Sequence, residues 1–336
     1  KQVIATLPLE MDVVRAVASL IATMARTTQP QRLAFVLGTP SISGIFHLLT
    51  TSTSQQQQQG EICRLNDEGL AAMFKALSWL AIKAGNTEVF MQLCTYVHNI
   101  ASELAHVQAA KQRDKTMSLS LEHQKPLQQL VACLLGICAT PGGLDRILRE
   151  LFDGVLPLLA WCAHEMAALR RDDITTSILQ LLKEYADYKL MGLPQTSTMV
   201  LYRASEQVMA VMLRSLDYHM TQGSGSKGSA ADEEREEFRS NTILSLLQLL
   251  NLLSSKDFFL DCEDDVAAVV AASGVVNPAT GQNDVQAEVC SVLVTGLRAI
   301  VPLLSAELLR SYPATCDRYF SYVTFIINSY MENLDV

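Results

Sequence analysis

The chain has 336 residues, nearly half of them apolar, with a formal net charge of −9 and eight cysteines. Neutralising phosphates takes clustered Lys and Arg, and here even Arg170–Arg171 is followed at once by Asp172–Asp173, so a nucleic-acid binder is disfavoured. No apolar run reaches the ~18 residues of a membrane span, and the most apolar window, 243–253, is interrupted by Gln248 and Asn251.

Taken in order, residues 9–26 read as an amphipathic helix with Val13, Val17, Ile21 and Met24 along one side. Thr27, Thr28, Gln29 and Pro30 end it, and two shorter pieces follow at 31–37 and 41–50. The glutamine tract inside 51–65 reads as a loop.

A cleaner pair comes next. Asn66 is placed to cap a helix whose first turn carries Asp67 and Glu68, where the helix dipole favours acids. Leu70, Met73, Phe74, Leu77 and Leu80 form its stripe, and Gly85 supplies a left-handed stop. Asn86 caps a second helix reaching about Ala110, with Val89, Leu93, Val97, Ile100 and Leu104 on one face. Two helices joined by so short a turn are antiparallel neighbours. The pattern recurs as 119–140 with 144–169, the latter expected to kink around Gly154–Pro157, and as 173–190 with 196–220. Hairpin starts near 67, 119 and 173 give a repeat of roughly fifty residues, at or slightly beyond the upper end for HEAT and armadillo units.

A Gly/Ser-rich loop is expected at 222–231, after which the acids of 232–237 open a helix carrying Ile243, Leu246, Leu247, Leu250 and Leu253. Residues 261–284 read as an insertion headed by an acidic run, Asp261, Glu263, Asp264 and Asp265. The last helices are 285–304, with Val289, Val292, Leu293, Leu297 and Ile300 as its stripe, and one starting at Pro313. That final helix is apolar or aromatic nearly all round (Tyr319, Phe320, Tyr322, Val323, Phe325, Ile326, Tyr330), so neighbours are expected on two of its sides. The chain begins at Lys1 and stops just beyond this helix, which reads as a segment of a longer protein.

Sites of chemistry are not apparent. Cys94 and His98, four apart on a helix, have the minimal spacing of a thiol–imidazole pair but lie in an apolar run with no orienting third group. Cys162 and His164, two apart, face different ways. The cysteines sit in apolar helical runs, the pattern of buried free thiols in a reducing compartment. No Cys-x-x-Cys, His-Glu-x-x-His or Gly-x-Ser-x-Gly occurs. Neither a catalytic, a cofactor-binding nor a metal-binding residue is assigned.

Two stretches carry a resemblance. One runs Gly296-Leu297-Arg298-Ala299-Ile300-Val301-Pro302-Leu303-Leu304, then Glu307-Leu308-Leu309, then Tyr312-Pro313-Ala314-Thr315-Cys316-Asp317-Arg318-Tyr319-Phe320 and on to Val323-Thr324-Phe325. The other, upstream, is Asn251-Leu252-Leu253-Ser254-Ser255-Lys256-Asp257-Phe258-Phe259. Together they resemble the exportin-4 branch of the importin-β (karyopherin) superfamily. They are structural repeat sequences, not catalytic motifs.

The resemblance implies an all-α fold, a right-handed α-solenoid of HEAT-like antiparallel helical hairpins, continuous over residues 1–336. It also implies a monomeric nuclear export receptor that shuttles between nucleus and cytoplasm through contacts with nuclear pore proteins. Such a receptor binds protein cargo together with Ran-GTP, the latter mainly through repeats outside this chain. In this setting Asp261, Glu263, Asp264 and Asp265 are the candidate contacts for a cargo with a basic surface. A HEAT or armadillo scaffold without a GTPase cycle is the alternative, and no enzyme motif favours a catalytic reading.

Overall fold

The structure is a computed structural model describing residues 11–40, 42–45, 66–114, 119–140, 145–222, 230–255 and 285–330. Among these residues every regular element is helical and none is a strand. The chain divides into two compact units, Lys1–Phe152 and Asp153–Val336.

The first unit holds α1 (Met11–Thr27), α2 (Pro30–Leu37), α3 (Asp67–Lys83), α4 (Thr87–Arg113) and α5 (Gln124–Cys138), and α6 (Asp145–Ala168) begins in it. Helix α3 is its centre, packed against α1, α2, α4 and α5. Local chemistry sets its ends: Asn66 accepts from the Gly69 N–H at 2.9 Å, and Asn86 caps α4 by accepting from Val89 at 3.0 Å. Between them Gly85 has φ +66°, and the Asn86 N–H reaches the Ala81 carbonyl while the Gly85 N–H reaches Ile82. That pair of bonds is a Schellman motif, closed by the residue that tolerates a left-handed backbone best.

Leu70, Met73, Phe74, Leu77 and Leu80 are all buried, as the stripe predicts. In α4, Phe90 joins Leu93, Val97, Ile100 and Leu104 in the core, whereas Val89 is half-buried. The first helix departs from expectation. Its buried seam is Val14, Ala18, Ile21 and Ala25, while Val13 is 40% exposed and Val17 and Met24 are half-buried. The small alanines of the observed seam let α1 approach α3 closely, and that outweighs the larger hydrophobes one position away.

Helices α3 and α5 meet still more tightly. A Cβ on Gly136 would stand 2.3 Å from the Ala71 carbonyl oxygen and 2.8 Å from Phe74 Cβ. Only a residue without a side chain fits that crossing.

The second unit holds the rest of α6, then α7 (Asp172–Lys189), α8 (Gln195–Gln222), α9 (Ala230–Ser254), α10 (Val285–Ile300), α11 (Ala306–Ser311) and α12 (Pro313–Tyr330). Helix α6 runs on through Gly154 and Pro157 as one helix. Helix α9 packs against α7, α8, α10 and α12, so Ile243, Leu246, Leu247, Leu249, Leu250 and Leu253 are all shut off from solvent. Burying each contributes about 1.5–3 kcal/mol before the entropy of ordering is set against it.

Polar bonds tie the helices together: Tyr202 donates to the Leu253 carbonyl, Tyr322 to Leu293 at 2.8 Å, and Arg239 to Leu303 at 2.8 Å. Pro302 ends α10 in a short 3-10 turn, Val301–Leu303, and Pro313 opens α12. The stripe of α10 is buried except for the half-buried Leu297.

The expected two-sided cover of α12 is not found among the described residues. Tyr322 and Ile326 face the core, but Phe320 is 56% and Ile327 46% exposed. Helices α9, α10 and α11 all pack against α12, yet Phe320 and Ile327 stay open to solvent.

Candidate functional site

The predicted cargo contacts Asp261, Glu263, Asp264 and Asp265 lie outside the described residues, as do most of the loops expected at 51–65, 222–231 and 261–284. The acids near the start of α9 can be followed in part. Glu236 pairs with Arg239 at 3.3 Å, in keeping with a helix start that satisfies its own charges.

The thiol–imidazole spacing produces no pair. Cys94 is buried, and desolvation pushes its thiol up to about 12, whereas His98 on the same helix is exposed. Cys162 is likewise raised to about 12, by burial first and by the nearby Glu165 second. Cys133, enclosed more completely, is also driven up by burial. A neutral buried thiol is a poor nucleophile and a poor ligand. Among the described residues no group of three or more His, Cys, Asp or Glu side chains is arranged to hold a metal ion.

The most structured surface feature is at the turn from α6 to α7, where α8 passes. Here the Arg171 N–H bonds to the Met166 carbonyl at 2.9 Å and the Arg170 N–H to Ala167 at 3.1 Å. This is the same Schellman closure seen at Gly85, yet the left-handed residue is Arg170, with φ +59°. A side chain in that region costs about 1–2 kcal/mol relative to glycine. The arginine gains a definite placement in return: its guanidinium carbon lies 3.3 Å from the centroid of the Tyr218 ring.

The four charges of Arg170–Arg171–Asp172–Asp173 therefore do not simply cancel. Arg171 forms a two-pronged pair with Asp173, at 2.9 and 2.7 Å, which lowers the carboxyl of Asp173 and raises the guanidinium. Asp172 turns to α8 instead, accepting from the Ser215 hydroxyl and lying 2.8 Å from His219 Nε2. A carboxylate only accepts, so the ring carries its proton on Nε2. Phe238 of α9 meets the same imidazole edge-on at 5.2 Å. At the other end of these helices, Ser197 donates to Asp153 at 2.7 Å. Ser197 thus ties α8 to α6, and Asp172, the first residue of α7, ties α8 to the end of the turn that follows α6.

Between α6 and α8 lies an open concavity of about 210 Å³ lined by His164, Ala167, Ala168, Arg170, Val211, Arg214 and Ser215. Two alanines and a valine supply its apolar lining, and two arginines, a histidine and a serine its polar lining. A second concavity, of about 190 Å³, is lined by Lys183, Glu184, Asp187, Gln248, Leu252 and Arg318. Its charges balance, and Lys183 is already bonded to Gln248 at 3.0 Å.

Sequence reasoning missed the first concavity. Its walls are some forty residues apart, and the acids that follow Arg170–Arg171 mask Arg170, which pairs with no carboxylate among the described residues. No protein-family model matches the chain.

Proposed function

We propose that the chain is a segment of a nuclear export receptor similar to the exportin-4 branch of the importin-β superfamily. In this reading the hairpins stack as a right-handed α-solenoid of HEAT-like units. The receptor binds protein cargo together with Ran-GTP in the nucleus and releases both after GTP hydrolysis in the cytoplasm. Ran contacts fall mainly in repeats outside this chain, and this segment contributes cargo surface or curvature. Binding of two ligands that favour the same state is positive coupling, and small changes at many helix interfaces are a physical route to it.

The observation that carries the proposal is the run from Gly296 to Phe325, supported by the structural duties of the residues in it. Gly296 abuts Leu250, whose Cδ2 would be 2.7 Å from an added Cβ. Asn251, in the upstream stretch, donates to its own helix at Leu247 and across to the Arg318 carbonyl at 2.9 Å. Asn251 of the upstream stretch thus meets Arg318 of the downstream one. Helices packing against their second neighbours, α7 with α9 and α8 with α10, also suit a stacked-hairpin array.

The test is size-exclusion co-elution of the full-length protein with a basic candidate cargo and Ran loaded with GTP or GDP. A complex formed only in the GTP state is the expected result. Partner binding indifferent to nucleotide overturns the export reading in favour of a scaffold. Charge reversal at Asp261, Glu263, Asp264 and Asp265 should weaken basic cargo and reduce the salt dependence of its binding. Unchanged affinity removes that loop as a contact.

A further inference from the structure

We propose that the concavity between the C-terminal turn of α6 and helix α8 is a docking pocket for an oxyanion-bearing side chain of a partner protein. The shared chemistry is a carboxylate or phosphoryl group presented on a peptide. This holds whether or not the chain belongs to an export receptor, because it rests on local geometry alone.

Arg15, Arg146, Arg171 and Arg239 each pair with a carboxylate. Arg170 and Arg214 both line the concavity, and neither pairs with a carboxylate among the described residues. Arg214 spends only its Nε, on the Ala210 carbonyl at 3.2 Å, which leaves both terminal nitrogens for a ligand. Arg170 stacks its face on Tyr218, so its in-plane N–H groups stay available at the edge. Stacking on one face while donating from the edge is how a guanidinium is held ready for an oxyanion.

Gly85 closes the equivalent turn of α3 without strain, while Arg170 adopts the same left-handed φ at a cost. The strained residue is the one whose side chain borders the cavity.

Asp172 and Glu165 are close by, but neither lines the cavity: Asp172 is held by Ser215 and His219, and Glu165 is buried, 3.8 Å from His164. The lining offers a visitor two guanidinium groups, one imidazole and apolar side chains. A volume of about 210 Å³ has room for one acidic side chain.

The test uses the 336-residue chain and three peptides of one Gly/Ser background labelled with tetramethylrhodamine, carrying glutamate, phosphoserine or glutamine at the centre. Fluorescence anisotropy is read for the wild type, Arg170→Gly, Arg214→Gln and, as a control of equal charge, Arg146→Gln. Glycine suits the left-handed turn, so Arg170→Gly should fold normally, which its thermal midpoint verifies.

At least one acidic peptide should bind more tightly than the glutamine peptide. Arg170→Gly and Arg214→Gln should each weaken it roughly fivefold, the scale of one solvent-accessible charge pair, and Arg146→Gln should not. Whichever acidic peptide responds identifies the source as carboxylate or phosphate. Equal losses in all three variants, or binding no better than that of the glutamine peptide, overturn the proposal.

Discussion

Gly136→Ala should destabilise the first unit, although helix propensity alone predicts the opposite sign. Replacing an interior helical glycine by alanine gains about 1 kcal/mol from the backbone. The added methyl at 136, however, would stand 2.3 Å from the Ala71 oxygen and 2.9 Å from the Lys75 nitrogen. Both are main-chain atoms of α3, so no rotamer change relieves the clash and the helices must part by about an ångström. Parting them also loosens the contacts of Phe74 and Leu77 behind the crossing. Overpacking costs about 1–3 kcal/mol, and a backbone obstacle belongs at the upper end. The net loss should be about 2 kcal/mol.

Two glycines serve as internal references. Gly154, in α6, has nothing within 4 Å of a Cβ, so its alanine variant should gain up to about 1 kcal/mol. Gly296 faces the flexible end of Leu250 at 2.7 Å and should fall between the two. Urea unfolding followed by circular dichroism, with midpoints compared at constant slope, measures all three. If Gly136→Ala matched or exceeded Gly154→Ala in stability, the close crossing of α3 and α5 would be refuted.

Other expectations are simpler. Asn66→Ala and Asn86→Ala should each cost about 1 kcal/mol by orphaning helix-end N–H groups, and Gly85→Ala about the same through its positive φ, all visible as lower urea midpoints. Folding holds the Asp173 carboxyl below its usual range through Arg171, so this pair adds stability above the ordinary carboxylate range and loses it as the pH falls through the lowered value. As an exposed pair it contributes little; Arg171→Gln should slightly reduce stability at pH 7 and leave it unchanged near pH 2. Thiol labelling of the native protein at pH 8 should spare Cys94, Cys133 and Cys162, all buried with raised thiols, and among the cysteines of the described residues should reach the half-buried Cys316 first. Rapid native labelling of Cys133 would contradict its complete burial.

The hairpin of α3 and α4 was legible in the sequence because every local signal agreed: Asn66, the acidic first turn, Gly85 and Asn86 each stand where the expected geometry requires them. The seam of α1 was not, because two stripes one residue apart fit the same period. Val13 and Val17 have more apolar surface, but Ala18 and Ala25 permit the closer approach, and closeness belongs to the pair of helices rather than to one. Gly136 hides for the same reason: within a helical run it resembles a weak point until the neighbour is in place. Arg170 reads as a charge beside compensating charges, and nothing in its flanking residues announces a left-handed backbone. The acidic loop attracted attention through density of charge, whereas the concavity draws three residues from each of two helices and one from a turn, and has no linear signature.

The enclosure of α9 bears on how the second unit opens. With α7, α8, α10 and α12 all against it, no single helix can fray and bare the amides between Ile243 and Leu253. Their hydrogens can exchange with solvent only when the unit comes apart as a whole. Deuterium uptake in that segment should therefore be the slowest in the unit and should accelerate in step with any destabilising substitution within it. The outward face of α12, carrying Phe320 and Ile327, can breathe without disturbing that clock.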